Sequence, residues 1–220
     1  HRTIHHQDFK GTLSKGSASD LSRVYDHDRR SLFARYEMRD GTLIEELDLQ
    51  LSYTDFSEYY VRHKSATDIR YRPTDIDTLA VTLQMRNTSN LGIWSYGVDF
   101  YHDWVDSTGW NIKNGVRTDK VQGLVADDST YSLTGIYLQN EATLTDILTM
   151  TTGIRYSYAA LDAEKVNFPG TGQGTLDGDW DAVTGSIRFL LQATDTINLF
   201  TGVSQGFRAP NLSDATREDD

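Results

Sequence analysis

Cysteine is absent from the 220 residues. That removes both a disulfide framework and any thiolate metal centre. Positive charge is scarce: 21 Lys and Arg face 32 Asp and Glu, a formal balance of −11. Nucleic acid and anionic lipid headgroups are therefore not expected as main partners. Long apolar runs are missing too. None approaches the ~18 residues that a membrane-spanning helix needs, and helix-period stretches do not occur. The length allows one domain or two small ones and can bury a sizeable core. The sequence opens on His1 and not on methionine, so it reads as a mature product or a piece of something longer.

What the sequence has is alternation. Leu47, Leu49, Leu51 and Tyr53 alternate with Asp48, Gln50, Ser52 and Thr54. Leu79, Val81, Leu83 and Met85 repeat the pattern, and so do Leu148, Met150, Thr152, Ile154, Tyr156 and Tyr158. Successive side chains on a strand point to opposite faces, so each segment is a strand with one apolar and one polar side. The fold class expected is all-β. Eight strands fall at 31–38, 43–58, 77–87, 92–105, 130–144, 147–160, 181–192 and 196–208. Short turns at Arg39–Thr42, Thr88–Gly92, Leu144–Asp146 and Ala193–Thr196 alternate with long polar connections at Tyr59–Asp77, Val105–Thr130 and Leu161–Asp181. Long strands with short turns on one side and long loops on the other describe an antiparallel up-and-down meander, part of a larger transmembrane β-barrel. Residues 1–30 read as a polar leading segment, 31–208 as barrel strands, and 209–220 as the start of an extracellular loop.

Alternation alone does not say which face is wet, because a soluble lipocalin-like barrel alternates in the same way. Aromatic placement favours the membrane. Trp94, Tyr96, Val98, Phe100, His102 and Trp104 share one face. The two tryptophans lie ~33 Å apart along the strand, and a tilt of ~40° projects this to ~25 Å, the height of the band between aromatic girdles. Trp94, Trp104, Tyr156 and Tyr158 are the expected girdle residues, since their rings are apolar and their tips wet. Asp48, Gln50, Arg86, Asp99, Gln139, Glu141 and Arg155 then face a lumen that supplies water or partners for their charges.

Three segments carry a family resemblance. Gly206-Phe207-Arg208-Ala209-Pro210-Asn211-Leu212 resembles the "GFRAP-NL" stretch of TonB-dependent outer-membrane receptors, found where a late barrel strand reaches the cell exterior. Tyr137-Leu138-Gln139-Asn140-Glu141, followed by Leu144-Thr145-Asp146, is similar to that family's "Y-x-Q-D/N-E-x-x-L-T-D" strand and turn. Gly153-Ile154-Arg155-Tyr156 resembles its "G-L-R-Y-D" strand, with Ser157 where aspartate is usual. They occur in family order over about residues 130–215, whereas the first 130 residues share only the barrel pattern. The resemblance implies a 22-stranded outer-membrane barrel with an N-terminal plug. Such a receptor captures a scarce nutrient as a small-molecule metal chelate, most often an iron–siderophore, and is driven by the inner-membrane TonB complex. Outer-membrane lipid would be its other partner; no cofactor is implied. With no plug or TonB-contacting box before His1 and no terminal aromatic strand after Asp220, the chain would be a middle-to-late slice of that barrel. A complete eight-stranded barrel of structural or adhesive role, and the soluble ligand-binding barrel, are the alternatives.

Candidate sites each have a plain reading beside the functional one. Pro210 lacks an N–H and restricts Ala209, so Phe207–Pro210 marks a strand exit. Functionally, Arg208, with Phe207 and Asn211, would face an anionic chelate, because guanidinium binds carboxylates bidentately. Haem receptors place a histidine and an "NPNL" box after their FRAP box; here Asn211-Leu212 follow directly and no histidine occurs after His102. His1, His5, His6 and His27 gather near Asp8, Asp26 and Asp28 without a recognised ligand spacing, and read as a solvated loop. Asp177, Asp179 and Asp181 resemble part of a calcium loop, but Ala182 and Arg188 stand at its sixth and twelfth positions, so an acidic loop is expected. Gly170, Gly172 and Gly174 read as flexible loop. No metal site is expected. Nor is an enzyme: a hydrolase would need serine or aspartate hydrogen-bonded to histidine across adjacent strands, and only His102 lies well inside one.

Overall fold

The computed structural model describes residues 4–9 and 20–217. Eleven strands follow in chain order among them: β1 (Ile4–Phe9), β2 (Ser22–Arg39), β3 (Glu46–Ser65), β4 (Asp68–Ser89), β5 (Gly92–Ser107), β6 (Trp110–Lys113), β7 (Val116–Asp119), β8 (Asp127–Thr145), β9 (Leu148–Phe168), β10 (Gly172–Gln192) and β11 (Asn198–Ser204). A short helix, α1 (Leu212–Thr216), comes last. Neighbours in the sheet run β1-β2-β3-β4-β5-β8-β9-β10-β11, all antiparallel, while β6 and β7 make a side hairpin on the tip of β4. Among the described residues the sheet is open, with β1 and β11 as its edges. The first and last long strands do not pair, so a complete eight-stranded barrel is not what this chain forms.

Register makes the two faces plain. One row crosses seven strands as Tyr36, Leu49, Leu83, Val98, Ile136, Tyr156 and Val183. The row one residue over reads Arg35, Gln50, Thr82, Asp99, Gly135, Ser157 and Ala182. The first is apolar throughout, the second polar or small. Val183 is 61% exposed, Tyr36 59% and Ile136 53%, so the apolar side is left uncovered. Leu51 at 44% and Leu79 at 36% exposed are not packed into a dry interior, as a lipocalin-like barrel requires of that face. A strand of 22 residues such as β4 is ~70 Å long and stands ~55 Å high at a ~40° tilt, about twice the ~25 Å apolar band. The upper halves of the strands therefore rise clear of the band.

Those upper halves were the segments expected as loops. Residues 59–77 and 161–181 are not long connections: β3 and β4 continue to a turn at 66–67, and β9 and β10 to one at 169–171. Above the band neither face meets lipid, so the alternation that announces a strand fades while the ladder continues. Gly170 and Gly172 are in the turn and at its edge, each at φ 86°, a backbone that glycine adopts freely. They form a tight turn, not a flexible loop. For the same reason β2 begins at Ser22 and not at 31. Asp177, Asp179 and Asp181 lie on β10, all exposed on one face, and do not converge as a calcium loop would. At the other end β11 stops at Ser204 rather than at 208, and α1 lies within 209–220. The connection at 105–130 stays a long one, carrying the β6–β7 hairpin.

A buried apolar cluster lies high on the polar face. Val105, Leu161, Ala163 and Val166 form its floor, Ala126 and Leu212 close it, and Ile76, Tyr131 and Trp180 pack around it. The cluster holds the 120–126 segment and α1 against the wall. Burying Leu212, 8% exposed, contributes ~2 kcal/mol to that docking.

Candidate functional site

The polar face is organised by arginines lying along the wall. Arg155 on β9 donates from Nη1 and Nη2 to the two oxygens of Asp99 on β5, at 2.9 and 2.7 Å, and from Nε to Ser157 at 3.0 Å. β8 lies between those strands, and Gly135 is what lets the side chain cross it. A Cβ there would sit 1.8 Å from Arg155 Nη2. Tyr137 lies flat over Gly97 in the same way, its hydroxyl 2.8 Å from where a Cβ would be. Nearer the short turns Arg35 donates to Asp48 and pairs with Glu37 at 2.7 Å. Arg39 and Arg86 flank Glu46 at 3.9 and 3.8 Å. Opposed charges in a water-lined space satisfy one another at little cost.

At the far end the wall carries a second set of polar contacts. Asp20 is 6% exposed and accepts from Arg62 Nε at 2.9 Å and Arg23 Nη2 at 2.8 Å. Burial alone would push this carboxyl up; the hydrogen bonds from Arg62 and then Arg23 more than offset it and hold it below the usual carboxylate range. Gln122, 1% exposed, donates to the Thr216 carbonyl at 2.7 Å and accepts from the Asn167 N–H at 2.7 Å. The Ala126 N–H donates to Thr216 Oγ1 at 2.9 Å. Loop 120–126, the top of β9 and α1 are thus tied into one inner layer.

The three motif segments come together on this wall. Gln139 is the register partner of Gly153, and Tyr137 of Arg155, so two of them are the paired strands of one hairpin. Gln139, Glu141, Gly153 and Arg155 all belong to the polar face. Phe207–Pro210 lies outside the ladder, which ends at Ser204, before the motif and not within it. Asn211 accepts from the Asp214 N–H at 2.8 Å while Asp214 Oδ2 accepts from the Asn211 N–H at 3.1 Å, a reciprocal cap on α1. Arg208 donates to the same Asp214 at 2.5 Å and keeps 73% of its side chain exposed. Phe207 is 37% exposed.

The residues expected as a girdle lie on the apolar face. Trp104 is 44% exposed, Tyr156 40% and Tyr158 36%. Trp94 Nε1 donates to Ser89 Oγ at 3.1 Å, beside a short turn. His102 Nδ1 is hydrogen-bonded to Ser132 Oγ at 2.7 Å across adjacent strands, the pairing a hydrolase would use. That pair faces outward among Phe100 and Trp104. No carboxylate among the described residues orients the other ring nitrogen, so it lacks the third member of a catalytic relay. It satisfies the polar tip of a ring at the edge of the band.

Of the acidic-histidine cluster, His1 lies outside the described residues, and His5, His6 and Asp8 are on β1. His27, on β2, pairs with Glu58 at 2.5 Å. No group of three or more His, Asp or Glu among the described residues is arranged to hold a metal ion. Asp20, Gln122, Thr216 and the Asp99–Arg155 crossing were not foreseen as partners; the only trace of the last was a glycine at a polar-face position inside β8.

An apolar face exposed along long strands, with a charged face on the other side, matches one family over nearly the whole length. Residues 3–218 fit the model of the TonB-dependent receptor-like β-barrel. The chain belongs to the TonB-dependent receptors. This places it in the Gram-negative outer membrane, its polar face lining the lumen, its short turns periplasmic and its tall strand ends outside the cell. No curated protein matches it. Among solved structures it is similar to the copper transporter OprC, with a TM-score of 0.70 and 16% identity over 88% of this chain and 33% of that one. It is similar to the unliganded ferric citrate transporter FecA at 0.59 and 14%, over 84% and 28% of the two chains. The siderophore receptor PiuA from Acinetobacter baumannii gives 0.57 and 11%, over 90% and 35%. At these identities the likeness is one of fold, and the chain spans about a third of each of those proteins.

Proposed function

We propose that this barrel wall belongs to a receptor that takes up a scarce nutrient as a small-molecule metal chelate, an iron–siderophore complex, with energy supplied by the inner-membrane TonB complex. The observation that carries the reading is the family match over residues 3–218. The strands rise far beyond the lipid band, giving walls to a vestibule in which a bulky chelate is bound before passage. Two of the three similar solved structures are named for ferric citrate and for a siderophore, and the third for copper, which supports a metal as the cargo. In this reading Arg208, with Phe207 and Asn211 beside it, forms part of the ligand-facing rim. Its guanidinium exchanges Asp214 for a carboxylate of the chelate.

The test is uptake of radiolabelled iron by cells in which the full-length receptor is the only one of its kind. Ferric catecholate, ferric hydroxamate and ferric citrate are supplied separately, with TonB intact or deleted. Uptake from at least one chelate that vanishes without TonB is expected. Copper accumulation with no iron uptake from any chelate would refute the siderophore reading, and uptake indifferent to TonB would refute the energy source.

A further inference from the structure

The luminal arginines are matched with carboxylates almost everywhere. Arg35, Arg39, Arg86 and Arg155 each have one within reach. Arg188 on β10 does not: it is exposed on the polar face and no described carboxylate pairs with it. The acidic side chain nearest in register is Glu141, two strands away through Thr151. At ~4.8 Å per strand that is ~10 Å, well outside the ~4 Å of an ion pair.

Arg188 also borders a pocket of ≈ 310 Å³. Gly153 forms part of its floor; a Cβ there would lie 3.0 Å from Ser186 Oγ, so any side chain would begin to fill the space. Gln139, Ser186, Ser204 and Arg155 stand around it. Arg155 spends its charge on Asp99, across Gly135 and away from the pocket. What remains is an uncompensated guanidinium beside neutral hydroxyl and amide donors, and no carboxylate lines the pocket. A guanidinium fork matches a carboxylate's two oxygens.

We infer that the pocket between β8, β9, β10 and β11 is a luminal anion site in which Arg188 takes a carboxylate. It rests on the polar face lining the lumen and not on which nutrient is carried. The carboxylate comes either from a small solute in the lumen or from an acidic side chain of a protein segment lodged there.

The experiment uses the purified full-length receptor in detergent, with Arg188→Gln, Arg188→Lys and, as control, Arg29→Gln. Arg29 is also luminal and without a carboxylate partner among the described residues, but it does not line this pocket. Citrate binding is measured by calorimetry and the unfolding temperature as a function of pH. If the carboxylate comes from solution, citrate binds about 10-fold more weakly to Arg188→Gln, as loss of a charge-assisted hydrogen bond implies, with partial recovery in Arg188→Lys. If a lodged segment supplies it, citrate does not bind the parent. Arg188→Gln then lowers the unfolding temperature at pH 7, and the difference closes below about pH 4 as carboxylates protonate. Either result supports the site. Citrate binding and unfolding temperature both unchanged in Arg188→Gln, a deficit that persists at pH 3 without citrate binding, or an equal effect of Arg29→Gln would overturn it.

Discussion

Replacing Gly135 by alanine sets two physical effects against each other. Glycine inside a strand costs ~0.5–1 kcal/mol relative to alanine, so propensity alone makes Gly135→Ala stabilising. The structure gives the opposite sign. The new methyl would sit 1.8 Å from Arg155 Nη2, 2.4 Å from its Cζ and 2.7 Å from Asp99 Oδ2. The guanidinium has to leave, and both bonds to Asp99 go with it. Asp99 keeps only 16% of its side chain exposed, Arg155 35%, so the pair is neither free in water nor fully buried. A loss of ~2 kcal/mol is expected: above the ~1 kcal/mol ceiling of an exposed pair and below the ~3–5 kcal/mol of breaking a buried one. The measurement is equilibrium urea unfolding of the full-length receptor in lipid vesicles, read by tryptophan fluorescence, as a double-mutant cycle with Arg155→Ala. In the Arg155→Ala background the methyl has nothing to displace, and Gly135→Ala should turn neutral or slightly stabilising. A cost that is the same in both backgrounds, or no cost in the parent, would refute the crossing of β8 by Arg155.

The same vesicle assay separates the two faces: Val98→Arg, near the middle of the outward apolar row, should cost ~2–4 kcal/mol, and Thr82→Arg, on the luminal row beside it, well under half as much. Asp20→Asn removes a carboxyl held low by Arg62 and Arg23. The depressed folded value means the parent's advantage is fully present above the ordinary carboxylate pKa of about 4 and drains away as pH falls through the lower folded one. Unfolding curves of parent and variant should therefore converge toward pH 2; a gap constant with pH would contradict the pairing. Leu212→Ala should cost ~2–3 kcal/mol and speed amide exchange at Ala126, whose N–H reaches Thr216. Unchanged exchange there would mean that α1 does not hold the 120–126 segment in place.

Much of the wall could be read from the chain. Wherever one face meets lipid, the period-two pattern is strong: the ladder pairs Leu47, Leu49, Leu51 and Tyr53 directly with Met85, Leu83, Val81 and Leu79. The motif segments, too, stand where a luminal strand pair and a strand exit would be. The failures cluster above the band. At 59–77 and 161–181 neither face meets lipid, so the alternation that lipid imposes no longer distinguishes a tall hairpin from a loop, and the strand is kept by backbone pairing and by the inner layer packed on its polar face. The acidic stretch at Asp177–Asp181 misled for that reason.

Sequence by itself thus determined which side chains face outward, because a strand's geometry forces alternate residues to opposite faces and lipid admits only one kind. It also determined the family, through residues whose spacing survives in one dimension. Only the tertiary structure decided that Asp99 meets Arg155 across Gly135, that Asp20 lies between Arg23 and Arg62, that Leu212 closes a core begun at Val105, and that Arg188 is left without a carboxylate. Those contacts join residues tens of positions apart, and their partners are chosen by register and close packing, which depend on how several strands lie together.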